Sequence, residues 1–194
     1  MSKKKKGFTL IELLVVIAIV GLLSTLATVA ARYAIEKAKI AKAQHATDSI
    51  YNAITMLRND TAQWPGHQTM NAINTAHVEI CGPDAAAANC GAHTIDSGFA
   101  GIIANDTVTP FNNWAGSYMV VIASDPWGHQ YFFDTNYSIN AGGLPCACGS
   151  DANVHCHNVV AVGSYGPDGL GAGALVSGNS TDSCDDITKI IIFD

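Results

Sequence analysis

The chain has 194 residues, of which 48% are hydrophobic and 13% charged, a composition typical of a folded domain and not of a disordered chain. Its formal net charge is −6, and loss of the four lysines at positions 3–6 would leave −10. Because nonspecific nucleic-acid binding requires Lys and Arg side chains to displace counterions from phosphates, so acidic a chain is a poor candidate for it.

The beginning of the chain combines a basic patch with an apolar segment. Four lysines, Lys3–Lys6, precede Gly7, and lysines beside an apolar span hold that end on the cytoplasmic side of a membrane. Residues 13–31 carry no charge, and such a segment is long enough to cross a bilayer as a helix. Glu12 stands at the edge of this span, where a carboxylate is costly and usually needs a partner.

The run Gly-Phe-Thr-Leu-Ile-Glu at residues 7–12 resembles the N-terminus of the type IV pilin superfamily, which includes type IV pilins and the pseudopilins of type II secretion systems. The resemblance implies that a prepilin peptidase cuts between Gly7 and Phe8, and that Phe8 is then N-methylated. It places Glu12 at the fifth mature position, where it pairs with the N-terminal amine of a neighbouring subunit. An ordinary secretory signal and a plain signal anchor are the alternatives, and neither accounts for this run.

The segment from Phe8 to about Asn59 lacks proline and is rich in helix-forming residues, which predicts one long helix. Its first half, residues 8–31, is apolar on all sides and is expected in the membrane. Its second half, residues 32–60, is amphipathic, with Ile50, Ile54 and Leu57 spaced to share one face. At ~1.5 Å per residue, about 50 residues make a rod of roughly 75–80 Å, as a filament of stacked rods would use.

The remainder of the chain predicts a connecting region and a sheet. Residues 61–116 are expected to be variable connecting structure, with a short helix near Gly98 to Ile103. Four strands are expected in residues 117–194, and a turn at residues 125–128, Asp-Pro-Trp-Gly, joins the first two. The expected strands are residues 117–123, 129–133, 158–162 and 187–193. After one long helix, such hairpins indicate an α+β fold whose sheet packs on the second half of the helix, with residues 1–7 as a leader.

The order of the motifs is similar to that of the major pseudopilin of type II secretion systems. Trp64-Pro65 follows the helix, and Asp-Pro-Trp-Gly is followed by Gly-Ser-Tyr-Gly-Pro-Asp-Gly at residues 163–169. The resemblance implies a calcium ion that holds the final loop through aspartates, and the matching positions are Asp168, Asp185 and Asp186. Two long insertions, at residues 144–157 and 170–183, depart from the family's pattern.

Six cysteines follow the apolar segment, and an even number in an exported domain predicts up to three disulfide bonds. Cys81 and Cys90 close a short loop and are the favoured pair, although six cysteines allow 15 full pairings. Cys146 and Cys148 are not expected to bond to each other, because the geometry at that spacing is strained. The remaining cysteines are Cys156 and Cys184.

The sequence therefore predicts a structural protein and not an enzyme, since no nucleophile elbow, phosphate loop or carboxylate pair stands out. The resemblance implies a helical homopolymer, processed by prepilin peptidase and assembled by an inner-membrane platform and an ATPase, with no required cofactor. Before assembly the chain would cross the bacterial inner membrane once with its N-terminus in the cytoplasm, and afterwards it would lie in a periplasmic or extracellular filament. The alternative is a membrane-anchored module that binds a metal through the loop from Cys146 to His157.

Overall fold

In the part of the chain that it describes, the computed structural model contains one long helix and two small antiparallel sheets. Helix α1 spans Leu10–Thr61, and β1 (Gln63–Trp64) pairs with β2 (Gln68–Thr69). A second sheet has the strand order β3-β4-β5, in which β3 is Phe132–Ile139, β4 is His157–Ser164 and β5 is Ile187–Ile191. Single 3₁₀ turns occur at Pro65–His67 and Gly98–Ala100. The structure describes residues 7–70, 80, 93–139, 157–167, 169 and 186–191.

The chain divides into two compact units, Met1–Lys39 and Ile40–Asp194. The first unit contains the apolar half of α1, and this helix is long and apolar enough to cross a membrane. Every large apolar side chain between Phe8 and Ile35 is exposed, and Val15, the least exposed of them, has 48% of its surface accessible. This half of α1 therefore has an apolar surface on all sides, as the sequence predicts.

The second unit has its own hydrophobic core, built by α1 and the three-stranded sheet. The predicted face of α1 is buried, with Ile50, Ile54 and Leu57 at most 1% exposed. These side chains form one cluster with residues from all three strands of the sheet and with the tryptophan of β1. The residues contributed by the strands and by β1 are Phe133, Val160, Val162, Ile191 and Trp64. The predicted α+β architecture, with the sheet packed on the second half of the helix, is confirmed.

The other face of the sheet has a smaller aromatic cluster. Because side chains alternate along a strand, Phe132 lies on the opposite side from its neighbour Phe133. Its ring stacks on Tyr165 with centroids 4.5 Å apart and on Tyr137 with centroids 5.5 Å apart. Both faces of the sheet are therefore covered by side chains of the described residues. A register shift between Asp134 and Tyr137 interrupts the pairing of β3 with β4.

The first predicted strand, residues 117–123, is wrong, because this segment is irregular in the structure. The N–H groups of Tyr118 and Met119 both donate to the carbonyl of Ile102, at 2.9 and 3.4 Å. The beginning of the segment 117–123 is therefore bound to the preceding loop and not to a strand. The predicted turn at residues 125–128 is present, with the Gly128 N–H donating to the Asp125 carbonyl at 3.1 Å.

The other strand predictions are confirmed with changed limits. The second strand begins at Phe132 and not at His129, because the backbone of His129 is bound to Asp125 through both its N–H and its carbonyl. The third and fourth strands are β4 and β5, and residues 192–194 lie outside the described residues. The short helix expected near Gly98 is a single 3₁₀ turn.

Truncation of Ile54 to alanine is expected to lower the free energy of unfolding by about 2–5 kcal/mol, because it leaves a cavity in the core of the second unit. Met56 on the same turn of α1 is 55% exposed and provides the matched control. Met56→Ala should change stability by less than about 0.5 kcal/mol. Urea unfolding of the detergent-solubilised chain measures both values, and equal effects of the two variants would contradict the assigned core.

Candidate functional site

The first turn of α1 is closed by reciprocal contacts between Thr9 and Glu12. The Glu12 carboxylate accepts the Thr9 N–H and the Thr9 hydroxyl, each at 2.8 Å, and the Thr9 hydroxyl oxygen accepts the Glu12 N–H at 3.3 Å. This arrangement is a capping box, which satisfies N–H groups that the helix end leaves without partners. Glu12 therefore holds the helix end in addition to the assembly role predicted for it.

Gly7 and Phe8 precede this cap in non-helical backbone. Both residues are exposed, with 82% of the Phe8 surface accessible, and a Cβ added at Gly7 would contact nothing within 4 Å. The bond predicted as the cleavage site thus lies one residue before the capping threonine. A cut there would leave the cap intact and place a new amine next to it.

Three hydroxyl groups interrupt the apolar half of α1, and each donates back to the helix itself. Ser24 donates to the Val20 carbonyl at 2.7 Å, and Thr28 donates to the Ser24 carbonyl at 2.9 Å. Thr25 donates in the same way to the Leu22 carbonyl at 2.8 Å. Because apolar surroundings offer no water to satisfy polar groups, these internal bonds make the segment compatible with a bilayer or with packed helices.

The two motifs that carry the pseudopilin resemblance meet in the second unit through a buried carboxylate. Asp125 Oδ1 accepts the N–H groups of Trp127 at 3.0 Å and of His129 at 2.8 Å, while Oδ2 accepts the hydroxyl of Ser164. Ser164 in turn accepts the Gly166 N–H at 3.1 Å. The Asp-Pro-Trp-Gly turn is thereby attached to the end of β4.

His129 adds a second connection between the same two motifs. Its Nδ1 lies 3.0 Å from the carbonyl oxygen of Gly166, so this nitrogen carries the proton and donates. The His129 ring also fills the space beside Gly169, where an added Cβ would lie 2.6 Å from Nε2. Burial and the nearby Asp125 charge raise the pKa of Tyr131 to about 12. The contacts of Asp125, Ser164 and His129 join the two motifs, and we call them the structural clamp.

A second polar cluster connects the segment after α1 to the loop at residues 105–111. Asp106 is buried and accepts the N–H of Val108 and the hydroxyl of Thr109, each at 2.8 Å, and its Oδ2 lies 3.2 Å from Nε2 of His67. The His67 ring stacks on Phe111 with centroids 3.8 Å apart. The hydrogen bonds from Val108 and Thr109 lower the pKa of Asp106 to about 2.

The lowered pKa of Asp106 predicts a pH dependence of stability. The carboxylate stabilises the fold fully above its ordinary pKa of 3.8, and this contribution is lost as the pH falls through about 2. The difference in melting temperature between the wild type and Asp106→Asn should therefore be largest above about pH 4 and shrink below it. Melting curves of both proteins between pH 2 and 6 test this, and a constant difference would contradict it.

The residues predicted to bind calcium are mostly outside the described residues. Asp168 and Asp185 are not described, whereas Asp186 lies just before β5 and accepts the Tyr137 hydroxyl at 2.8 Å. Among the residues that the structure describes, no three His, Cys, Asp or Glu side chains are grouped to hold a metal ion. The calcium site stays a prediction.

All six cysteines also lie outside the described residues. The disulfide bonds, including the favoured pair of Cys81 with Cys90, and the alternative metal-binding loop therefore remain predictions. The structural clamp at Asp125 was not predicted as a site, although both of its motifs were recognised. The capping box was also missed, yet its Thr-x-x-Glu spacing is a sequence signature of a helix start.

Comparison with known proteins finds similarity to a methylation-motif family and to pilins. The family model of the prokaryotic N-terminal methylation motif matches residues 2–28. The fimbrial protein of Neisseria meningitidis serogroup B is 36% identical over 76 residues, which cover 39% of this chain and 45% of that protein. The type IV major pilin protein PilE1 of Neisseria gonorrhoeae is 33% identical over 82 residues, covering 42% of this chain and 50% of the relative. The chain thus spans about half the length of the curated relatives it matches.

Proposed function

We propose that the chain is a structural subunit of a type IV pilus-like filament, because residues 2–28 match the model of the prokaryotic N-terminal methylation motif and its curated relatives are a fimbrial protein and a type IV major pilin. The observation that carries this proposal is the exposed apolar half of α1, in which every large side chain from Phe8 to Ile35 is accessible. Such a surface is unstable in water and requires an apolar environment. A bilayer provides it before assembly, and the same helix of other copies provides it afterwards.

In this proposal, prepilin peptidase cuts between Gly7 and Phe8, and the new N-terminus is methylated. The capping box holds the Glu12 carboxylate at the start of α1, where it keeps acceptor capacity beyond its bonds to Thr9. A carboxylate and an ammonium group that meet in apolar surroundings each recover part of their desolvation cost. Pairing of Glu12 with the amine of a neighbouring copy therefore favours the polymer over isolated subunits.

The filament could belong to either branch of the superfamily, a surface pilus built of pilins or a secretion filament built of pseudopilins. The curated relatives are named fimbrial protein and type IV major pilin, which favours a surface pilus. The clamp between the turn at residues 125–128 and the end of β4 involves motifs that resemble the major pseudopilin, which favours a secretion filament. In both branches an inner-membrane platform and an ATPase are the expected assembly partners.

Deletion of the gene from the native host separates the two branches and tests the filament itself. Loss of fibres from the sheared surface fraction with normal export indicates a pilus, whereas loss of export with normal fibres indicates a pseudopilin. Antibody labelling of the fibres in electron micrographs identifies the subunit directly. Normal fibres together with normal export in the deletion strain would contradict the proposed function.

The disulfide bonds and the calcium ion belong to the same proposal. Because disulfide bonds form in the oxidising periplasm, thiol labelling of the denatured chain is expected to find no free cysteine. The carboxylates of Asp168, Asp185 and Asp186 are the oxygen ligands that calcium prefers, and a chelator should then lower the melting temperature. Free thiols together with stoichiometric bound transition metal would instead favour the anchored metal-binding module.

A further inference from the structure

Residues 120–124 have the composition of a strand but no strand partner. Their sequence is Val-Val-Ile-Ala-Ser, and β-branched residues such as the first three favour strands. Within the part of the chain that the structure describes, the backbone of these five residues forms no hydrogen bond. The residues before them are bound to Ile102, and the turn that begins at Asp125 follows them. We name residues 120–124 the unpaired segment.

The side chains of the unpaired segment are mostly in solvent. Val120 is 91% exposed and Val121 is 66% exposed, and both residues that end the segment, Ala123 and Ser124, are exposed as well. Only Ile122, at 5% exposure, belongs to the hydrophobic core. One side chain therefore holds the segment on the second unit, while unpaired backbone groups and two β-branched side chains remain accessible. These are the features of an edge to which another strand can bind.

The sheet of the same chain does not accept the unpaired segment. A hairpin through the turn at residues 125–128 would return it along the outer side of β3, but Ile80 occupies that side at Phe133. The Ile80 N–H donates to the Phe133 carbonyl at 3.0 Å, and the Phe133 N–H donates to the Ile80 carbonyl at 2.8 Å. The hairpin therefore ends at its turn, and the segment is left for water or for another molecule.

The opposite edge of the sheet offers a place for an added strand. In the order β3-β4-β5, strand β5 lies at the far edge, and among the described strands it pairs with β4 alone. Backbone groups on the outer side of an edge strand can bind a further strand. Strand β5, Ile187–Ile191, has five residues, which is also the length of the unpaired segment. The second unit thus carries both a segment without a sheet and a sheet edge without a neighbour.

We propose that the unpaired segment of one copy adds as a fourth strand to the outer edge of β5 in a second copy of this chain. This inference rests on the proposed filament and names a contact between its second units. Because the two contacting surfaces differ, the contact is heterologous, and its repetition forms an open helical polymer, whereas pairing of the segment with itself would form a closed dimer. Strand addition derives its affinity from main-chain hydrogen bonds, so it needs no opposite charges on identical acidic copies.

Proline substitution tests whether the backbone of the unpaired segment forms the contact. Consecutive N–H groups of a strand point to opposite sides, so Val120→Pro with Val121→Pro removes a donor from whichever side faces the partner. We expect this variant to be processed normally and to keep its melting temperature, but to give at least about tenfold fewer sheared fibres. The matched control, Val120→Thr with Val121→Thr, keeps β-branched side chains and both N–H groups and should assemble like the wild type.

A photo-crosslinker at Val120 identifies the recipient strand independently of these variants. We expect it to capture a peptide containing residues 187–191 in fibres, but not in the detergent-solubilised single chain, which shows that the two segments come from different copies. Capture of a different segment, capture of residues 187–191 in the single chain as well, or equal fibre yields from the proline variant and the wild type would overturn the strand-addition proposal. Equal losses from the threonine and proline variants would also overturn it, in favour of an apolar side-chain contact.

The wild type distinguishes failure of this inference from failure of the filament. Absence of fibres from the wild type itself would contradict the proposed function. Wild-type fibres in which Val120 captures no residue of β5 would leave the filament standing and refute only the strand addition.

Discussion

Replacement of Glu12 by alanine is expected to yield chains that reach the membrane and are cut after Gly7, but form at least about tenfold fewer filaments. In the proposed filament, loss of this carboxylate removes the partner of the neighbouring copy's amine, and each 1.4 kcal/mol lost reduces an association constant tenfold. Alanine also removes the contacts by which Glu12 closes the helix end with Thr9. The measurement is the quantity of subunit in the sheared fraction relative to that in the membrane.

Glu12→Gln separates the charge of this side chain from its role in the cap. Glutamine is the other residue that completes a capping box, so this variant keeps the helix end while it loses the negative charge. We expect Glu12→Gln to assemble as poorly as Glu12→Ala. Thr9→Ser, which retains a capping hydroxyl, should assemble normally. Normal filaments from Glu12→Gln would contradict the proposed role of the Glu12 charge in assembly.

Replacement of Asp125 by alanine is expected to lower the free energy of unfolding by about 3–5 kcal/mol. Alanine leaves the hydroxyl of Ser164 and the N–H groups of Trp127 and His129 without their acceptor. Asp125→Asn should cost only about 1 kcal/mol, because its amide oxygen still accepts the two N–H groups and its NH₂ donates to Ser164.

Urea unfolding followed by tryptophan fluorescence measures these effects, because Trp64, Trp114 and Trp127 all lie in the second unit. Asp96 is an exposed aspartate of the same unit, and Asp96→Ala should change stability by less than about 0.5 kcal/mol. If Asp125→Ala unfolds at the same urea concentration as Asp96→Ala, the clamp does not stabilise the fold.

The helix and its faces could be predicted from sequence, because they depend on local composition and spacing. The absence of proline before Asn59 predicted one continuous helix, and the spacing of Ile50, Ile54 and Leu57 predicted its buried face. The runs that became β4 and β5 were also recognised from their apolar, β-branched residues. Each of these signals lies within a few consecutive residues, so the prediction did not depend on which distant segment packs against the helix or strand.

The wrong strand prediction and the missed polar contacts concern residues whose contact partners are distant in the chain. Residues 117–123 have the composition of a strand, but the carbonyl of Ile102 binds the backbone of Tyr118 and Met119, and composition does not report which acceptor a backbone N–H finds. Asp125 and Ser164 are 39 residues apart, and so are His67 and Asp106. Such pairs form because the sheet and loops bring them together, and a single sequence does not contain that information.

Intact mass with N-terminal sequencing, performed on protein from membranes and sheared filaments of the native host, tests the central claim most directly. We expect a chain that begins at Phe8, carries one extra methyl group and is present in the filament fraction. A chain that begins near Arg32 would contradict it, because the apolar half of α1 would have been removed as a secretory signal. An uncut chain found only in membranes would contradict it as well and would indicate a permanent anchor.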